Sequence, residues 1–202
     1  MLDSRIVPHL KKPLNRIANR LHRAGVGADE VSIAGFLLGV LAVVAVANGH
    51  FLIALFLLGL NRLADGLDGE IARQNGSTDA GAFLDIVLDF IFYAIFPLGF
   101  AFYDPTSNAL ISAVLVASFV GTGSSFLAFD TFARSRKIDH PDFNYKGFYY
   151  INGLAEGTET ILAFVLMCLL PQYFVLIGSV FAIICVVTAI NRVVFSYVTL
   201  RR

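Results

Sequence analysis

The residues best suited to chemistry lie between Asn61 and Phe90, in the stretch NRLADGLDGEIARQNGSTDAGAFLDIVLDF. Asp65 and Asp68 are three residues apart and Asp85 and Asp89 four apart, so each pair shares one face of a helix. Ala72 continues the first face, and Gly81 lies one turn before Asp85 on the second. Carboxylates in such a group are hard oxygen ligands. They suit Mg²⁺ or Mn²⁺, above all where substrate phosphates complete the shell. Two such ions could clamp a diphosphate and stabilise its attacking and leaving oxygens. Gly66, Gly69 and Gly81 take bulk away beside the carboxylates, so a ligand or a facing helix can come close. Arg73 is placed to meet a phosphate near a membrane interface. Each piece alone has a plainer explanation. One aspartate could pair with Arg62 or Arg192, glycines could only pack helices, and Arg73 could only anchor a helix end. Four carboxylates on two successive helices outweigh those separate explanations.

The helices that carry these residues read as membrane spans. Hydrophobic residues make up 57% of the 202-residue chain and charged residues 15%, with mean hydropathy +0.74. Soluble proteins average about 25% charged residues. The formal net charge of zero implies no nucleic acid partner. Runs of about 20 apolar residues predict six transmembrane helices. They fall at about 30–48 (with Asp29 as N-cap), 50–75, 79–103, 107–135, 149–169 and 173–200. Breaks at Asn48-Gly49-His50, Gly76 to Asp79, Asp104-Pro105 and Pro171-Gln172 divide them. Cys168 and Cys185 lie in apolar runs without metal-ligand spacing and read as buried hydrophobes.

Residues 1–24 hold no continuous apolar core and so are not a signal peptide. Leu10, Leu14, Ile17 and Leu21 form one stripe, and Lys11, Lys12, Arg16 and Arg20 fall elsewhere on the wheel. That pattern predicts an amphipathic juxtamembrane helix, lying on an anionic bilayer or packed on the protein's own face. Residues 25–202 then form the six-helix domain. The fold class expected is all-α integral membrane, with six transmembrane helices after an N-terminal interfacial helix.

Lys and Arg set the orientation. Arg5, Lys11, Lys12, Arg16, Arg20, Arg23, Arg73, Arg134, Arg136, Lys137, Lys146, Arg201 and Arg202 fall on one side of a six-span topology, and the opposite connections carry none. Both termini and the acidic site therefore face the cytoplasm of an inner (cell) membrane. Asp68 and Asp89 lie roughly 15 Å from the turn at Thr78, given the 1.5 Å rise per helical residue. An aspartate at that depth costs about 2.5–3.5 kcal/mol, and four together repel, which bound divalent cations would offset.

The spacing Asp65-x2-Asp68-Gly69-x2-Ala72-Arg73-x7-Gly81-x3-Asp85-x3-Asp89 resembles the signature of the CDP-alcohol phosphatidyltransferases at all its positions. The resemblance implies that Asp65, Asp68 and Asp85 ligate metal ions, two Mg²⁺ or Mn²⁺, with Asp89 also near them. It implies that Asp89 is the general base for the acceptor hydroxyl. Gly69, Ala72, Arg73 and Gly81 would line the site for the CDP donor. Members of that family are commonly homodimers. The reaction implied moves a phosphatidyl group from CDP-diacylglycerol to a small alcohol and releases CMP, in phospholipid biosynthesis.

The acceptor is less legible. Arg134, Arg136, Lys137 and Lys146 could bind an acceptor phosphate or only follow the positive-inside bias. Asn152, Glu156 and Glu159 could hydrogen-bond a polyol or pair with an amine. His140 reads as solvated. The segment YKGFYYINGLAEGTET is unlike that expected of a phosphatidylglycerophosphate synthase. Two other functions compete. One is transfer of a head group from a CDP-alcohol to diacylglycerol. The other is cation transport, which predicts carboxylates spread across the bilayer rather than clustered in one half.

Overall fold

Apolar stretches of this length must satisfy their own backbone hydrogen bonds in lipid, which favours helices. The computed structural model describes residues 14–21, 23–135 and 154–201. Among these residues there are helices and no strands. After a helical segment at 14–21 come α1 (Ala28–Ala47), α2 (Phe51–Asn75), α3 (Asp79–Tyr103), α4 (Pro105–Ser135), α5 (Gly157–Leu169) and α6 (Phe174–Arg201). A 3₁₀ turn, Pro171–Tyr173, leads into α6. Four helices, α1, α3, α4 and α6, are long and apolar enough to cross a membrane. The other two differ in kind. Helix α2 carries Arg62, Asp65, Asp68, Glu70 and Arg73, and α5 has only 13 residues.

Helix α1 organises the acidic region. It packs on both α2 and α3. Its buried residues include Gly35, Gly39, Ala42 and Ala45, a small-residue stripe that admits close approach. A Cβ on Gly35 would sit 2.8 Å from the Ala64 Cβ of α2, and one on Gly39 would sit 2.6 Å from the Phe92 ring of α3. Asp65 and Asp85 therefore face each other from helices that share a third as their support.

The rest of the core is aromatic. Phe96 stacks on Phe164 of α5 at 4.3 Å between centroids, and Phe100 stacks on Phe174 of α6 at 4.4 Å. In lipid such contacts contribute by dispersion and ring geometry rather than by water exclusion. Helix α4 packs on α3 and α6, completing the bundle. Cys168 and Cys185 are buried free thiols in this core, as expected.

The helix ends show where local reading was adequate. Thr78 caps α3, its Oγ1 accepting from the Gly81 amide at 3.0 Å. Gly76 has φ +86° in the connection, a conformation open to glycine. Asp104 Oδ1 accepts from Thr106 Oγ1 at 2.7 Å and from the Ser107 amide at 3.1 Å. These bonds hold its carboxyl below the usual carboxylate range.

Two boundaries differ from expectation. Gly27, not Asp29, is the N-cap of α1, and Asp29 sits in the first turn, where a negative charge is favourable. Helix five starts at Gly157 rather than 149, and residues 149–153 lie outside the described residues. The Ala155 amide donates to Thr188 Oγ1 of α6 at 3.1 Å, a partner that holds the segment before α5 out of helical geometry.

The N-terminal stripe is also redistributed. Ala18 is fully buried with Leu14 and Leu21 beside it, packed against Val31, Ala64, Leu67 and Ile71. Ile17, on the same stripe, is 40% exposed and free to face lipid. The bulkier side chain is excluded because the segment lies close to α2, with Leu14 over Gly66 at 3.2 Å from where a Cβ would stand. Leu10, Lys11 and Lys12 lie outside the described residues.

Candidate active site

Asp65 and Asp68 project from α2 and Asp85 from α3 toward the same space. One carboxylate oxygen of each lies within 4.8 Å of the others. Asp68 is buried, Asp65 half-buried and Asp85 exposed. Ser32 of α1 donates its hydroxyl to Asp68 Oδ2 at 2.6 Å and fixes that carboxylate. The donor set is all oxygen, near in space and open on one side, which fits a hard divalent cation.

Asp89 lines the same cavity but is engaged differently. Arg62 Nη2 donates to Asp89 Oδ1 at 2.9 Å, and the Tyr93 hydroxyl lies 3.4 Å from Oδ2. Arg62 Nη1 is 3.5 Å from Asp65 Oδ2 and donates to the Tyr93 hydroxyl at 3.2 Å. The guanidinium centre lies 5.3 Å from the Phe92 ring centroid and 5.6 Å from that of Tyr93. Its orientation is set from behind, because Nε donates to Asn61 Oδ1 at 2.8 Å and Asn61 Nδ2 donates to the Gly35 carbonyl at 2.8 Å. The structure thus places one guanidinium between two carboxylates and anchors it to α1.

A second, larger cavity of about 390 Å³ opens beside the first. Gly69, Ala72, Arg73 and Gly81 all line it, together with Asp68 and Asp85. Asp68, Asp85 and Ser32 border both cavities, so the three-carboxylate group sits at their junction. The volume is in the range of small-molecule sites, about 300–1,000 Å³. Gly81 is kept small by its surroundings, since a Cβ there would meet Asp29 Oδ1 at 2.9 Å. Gly66 serves the N-terminal segment rather than this groove.

Sequence reasoning missed Ser32, Asn61, Glu70 and Tyr93 as members of this region. Tyr93 follows Asp89 by four residues, and Glu70 precedes Arg73 by three, so helical spacing could have flagged both. Ser32 and Asn61 act across helices and carry no local signal. Arg62 does pair with membrane aspartates, whereas Arg192 donates to the Thr122 carbonyl at 3.2 Å. Of the residues considered for the acceptor, Glu156 is the N-cap of α5 and Glu159 lies in its first turn, and Gly157 between them approaches the Asp89 end. A Cβ on Gly157 would lie 3.7 Å from the Tyr93 hydroxyl. Arg136, Lys137, His140, Lys146 and Asn152, and the side chain of Arg134, lie outside the described residues.

Comparison with known proteins identifies the family. The family model for CDP-alcohol phosphatidyltransferase matches residues 27–191. An inner membrane protein of Escherichia coli (strain K12), YnjF, is 47% identical over 201 residues, covering 100% of this chain and 98% of that protein. The archaetidylinositol phosphate synthase of Pyrococcus horikoshii is 32% identical over 120 residues, covering 56% of this chain and 64% of that enzyme. The same fold occurs in the Mycobacterium tuberculosis phosphatidylinositol phosphate synthase PgsA1, solved with manganese and citrate. There the TM-score is 0.72 at 20% identity, over 91% of this chain and 88% of that one. PgsA1 with CDP-DAG bound gives a TM-score of 0.71. The signature positions, the apolar helices and these relatives lead to one conclusion: the chain is an integral membrane protein of the CDP-alcohol phosphatidyltransferase family.

Proposed function

We propose that this chain transfers a phosphatidyl group from CDP-diacylglycerol to the hydroxyl of a small alcohol and releases CMP. The observation that carries this reading is the meeting of three carboxylates where the groove lined by Gly69, Ala72, Arg73 and Gly81 joins the cavity that holds Asp89. Donor and acceptor sides then share one reacting point. Mg²⁺ or Mn²⁺, two ions held by Asp65, Asp68 and Asp85 with Asp89 beside them, would supply charge neutralisation for the diphosphate.

The chain's own residues do the rest. Gly69, Ala72 and Gly81 leave room for the CDP part, and Arg73 meets a phosphate. Asp89 accepts the proton of the acceptor hydroxyl as its oxygen forms a bond to the lipid-side phosphorus. The bond from that phosphorus to the bridging oxygen breaks, and CMP carries the oxygen away. Arg62 and the Tyr93 hydroxyl hold the Asp89 carboxylate in register for that step.

The proposal extends to the membrane setting. Helices α2 and α5 complete six spans, with both termini and the site on the cytoplasmic side. Residues 1–24 form the amphipathic juxtamembrane segment, whose described part, 14–21, packs on α2, and residues 25–202 form the catalytic domain. The working unit is a homodimer. The clustering of Asp65, Asp68, Asp85 and Asp89 supports group transfer over cation transport.

The deciding experiment supplies purified protein with CDP-diacylglycerol, Mg²⁺ or Mn²⁺ and a pool of alcohols. Lipid mass spectrometry then identifies the product. A parallel arm with labelled CDP-choline and diacylglycerol tests the reverse assignment. Absence of CMP release across the pool would overturn the proposal. Asp89→Asn is expected to keep donor binding and lose turnover, and full activity in it would remove Asp89 from the role of base.

A further inference from the structure

Glu70 belongs to no signature position, yet it is among the most buried charged residues of α2, at 4% exposure. Its two oxygens accept from both sides, one facing Arg73 and one facing Asn15. Oε2 accepts from Arg73 Nη2 at 2.6 Å and from Nε at 3.2 Å. Oε1 accepts from Asn15 Nδ2 at 2.8 Å. Asn15 belongs to the N-terminal segment, which is seated on α2 through Leu14, Ala18 and Leu21. Asn15 is itself oriented, since its Oδ1 accepts from Asn19 Nδ2 at 2.7 Å.

Arg73 lines the donor groove and its side chain is 61% exposed. A long side chain at that exposure loses much rotamer entropy when it is ordered on a ligand. The buried carboxylate removes part of that cost beforehand. It binds the guanidinium through two N–H donors, which fixes its plane as well as its place. The guanidinium folds back over Gly69, Nη1 lying 3.4 Å from where a Cβ would stand.

We infer that Glu70 is a positioning residue for the CDP donor. It pre-orients Arg73 and is itself held by Asn15, so the N-terminal segment is a working part of the donor site. This rests on the reading that Arg73 meets the donor. Glu70 does not touch the donor and acts through Arg73 alone.

A double-mutant cycle separates that role from a general loosening of the fold. The full-length chain is titrated with CDP-diacylglycerol in detergent with Mn²⁺, and the melting temperature is recorded for each variant. Glu70→Gln keeps the shape but replaces the charged acceptor, and it is expected to weaken donor affinity about tenfold. The same change in an Arg73→Ala background is expected to cost nothing further. Asn15→Ala is expected to weaken binding about threefold, a smaller loss because it removes only one neutral donor, and likewise to be silent without Arg73. Should Glu70→Gln fail to fold, the Asn15 cycle carries the test. Wild-type affinity in the single variants, or losses that multiply in the doubles, would overturn the relay while leaving the donor reading intact. A wild-type chain that does not bind CDP-diacylglycerol would overturn the donor reading and the relay together.

Discussion

Arg62 offers the sharpest test of how the acidic site is held together. In Arg62→Gln the guanidinium is lost between Asp89, 2.9 Å away, and Asp65, 3.5 Å away. Its side chain is only 19% exposed, so water replaces it poorly. A hydrogen bond between charged groups contributes about 1.5–3 kcal/mol and a ring contact of this kind about 0.5–1 kcal/mol. Glutamine recovers little of either, which sets the cost at about 2–4 kcal/mol. For 202 residues each kcal/mol moves the melting temperature about 2–4 °C, so the expected fall is about 5–15 °C. The cause predicts a second signature. Arg62 offsets the mutual repulsion of the carboxylates, and a divalent cation does the same. The deficit should therefore be largest in EDTA and should shrink when Mn²⁺ is added. Thermal melts of wild type and variant in detergent, with and without Mn²⁺, measure both. A fall under about 2 °C in EDTA, well below the range above, or one equal in both conditions, would refute this account.

Other outcomes follow from the same geometry. Asp85→Asn should weaken Mn²⁺ binding at least about tenfold by removing one of three close oxygen donors, with little loss of stability in EDTA because a repulsive neighbour goes with it. A Mn²⁺ titration followed by melting temperature reads both. Gly39→Ala drives a Cβ to 2.6 Å from Phe92, which is 1% exposed and has no room to retreat. Overpacking of that kind costs about 1–3 kcal/mol, a fall of about 2–12 °C in the same melts. The native cysteines are buried, so single introduced thiols can report sidedness. In intact cells, Ser107→Cys should react with an impermeant reagent and Ser77→Cys only after permeabilisation.

The parts of the site that the sequence makes legible are those governed by helical period. The Asp65–Asp68 and Asp85–Asp89 spacings assign faces without any tertiary knowledge, and apolar runs broken by Asn48-Gly49-His50 and Asp104-Pro105 locate α1, α3 and α4 within a few residues. What stays hidden depends on which helix lies against which. The wedge of α1 between α2 and α3 rests on Gly35 and Gly39, which read as ordinary membrane glycines until their partners Ala64 and Phe92 are known. Ser32 and Asn61 join the site through bonds spanning 36 and 26 residues, beyond any local pattern. The amphipathic stripe does not reveal Ala18 as the fully buried contact of that segment, because hydrophobicity ranks alanine low, whereas a close helix crossing prefers the smaller side chain. The late start of α5 arises from a bond to Thr188, again a contact remote in the chain.

The short link between α2 and α3, residues 76–78, has a consequence for how such a gene can vary. Asp68 and Asp85 reach one point only because the residues between them are the right number to turn each helix into place. Adding one residue to either helix there rotates all that follows by about 100°, given 3.6 residues per turn. One codon gained or lost within either helix between Asp68 and Asp85 would swing a carboxylate out of the cavity, whatever amino acid it encoded. A substitution at an exposed position of the same interval leaves that helical phase unchanged. Members of such a lineage are therefore bound in the length of these two helices as well as in the residues that line the groove.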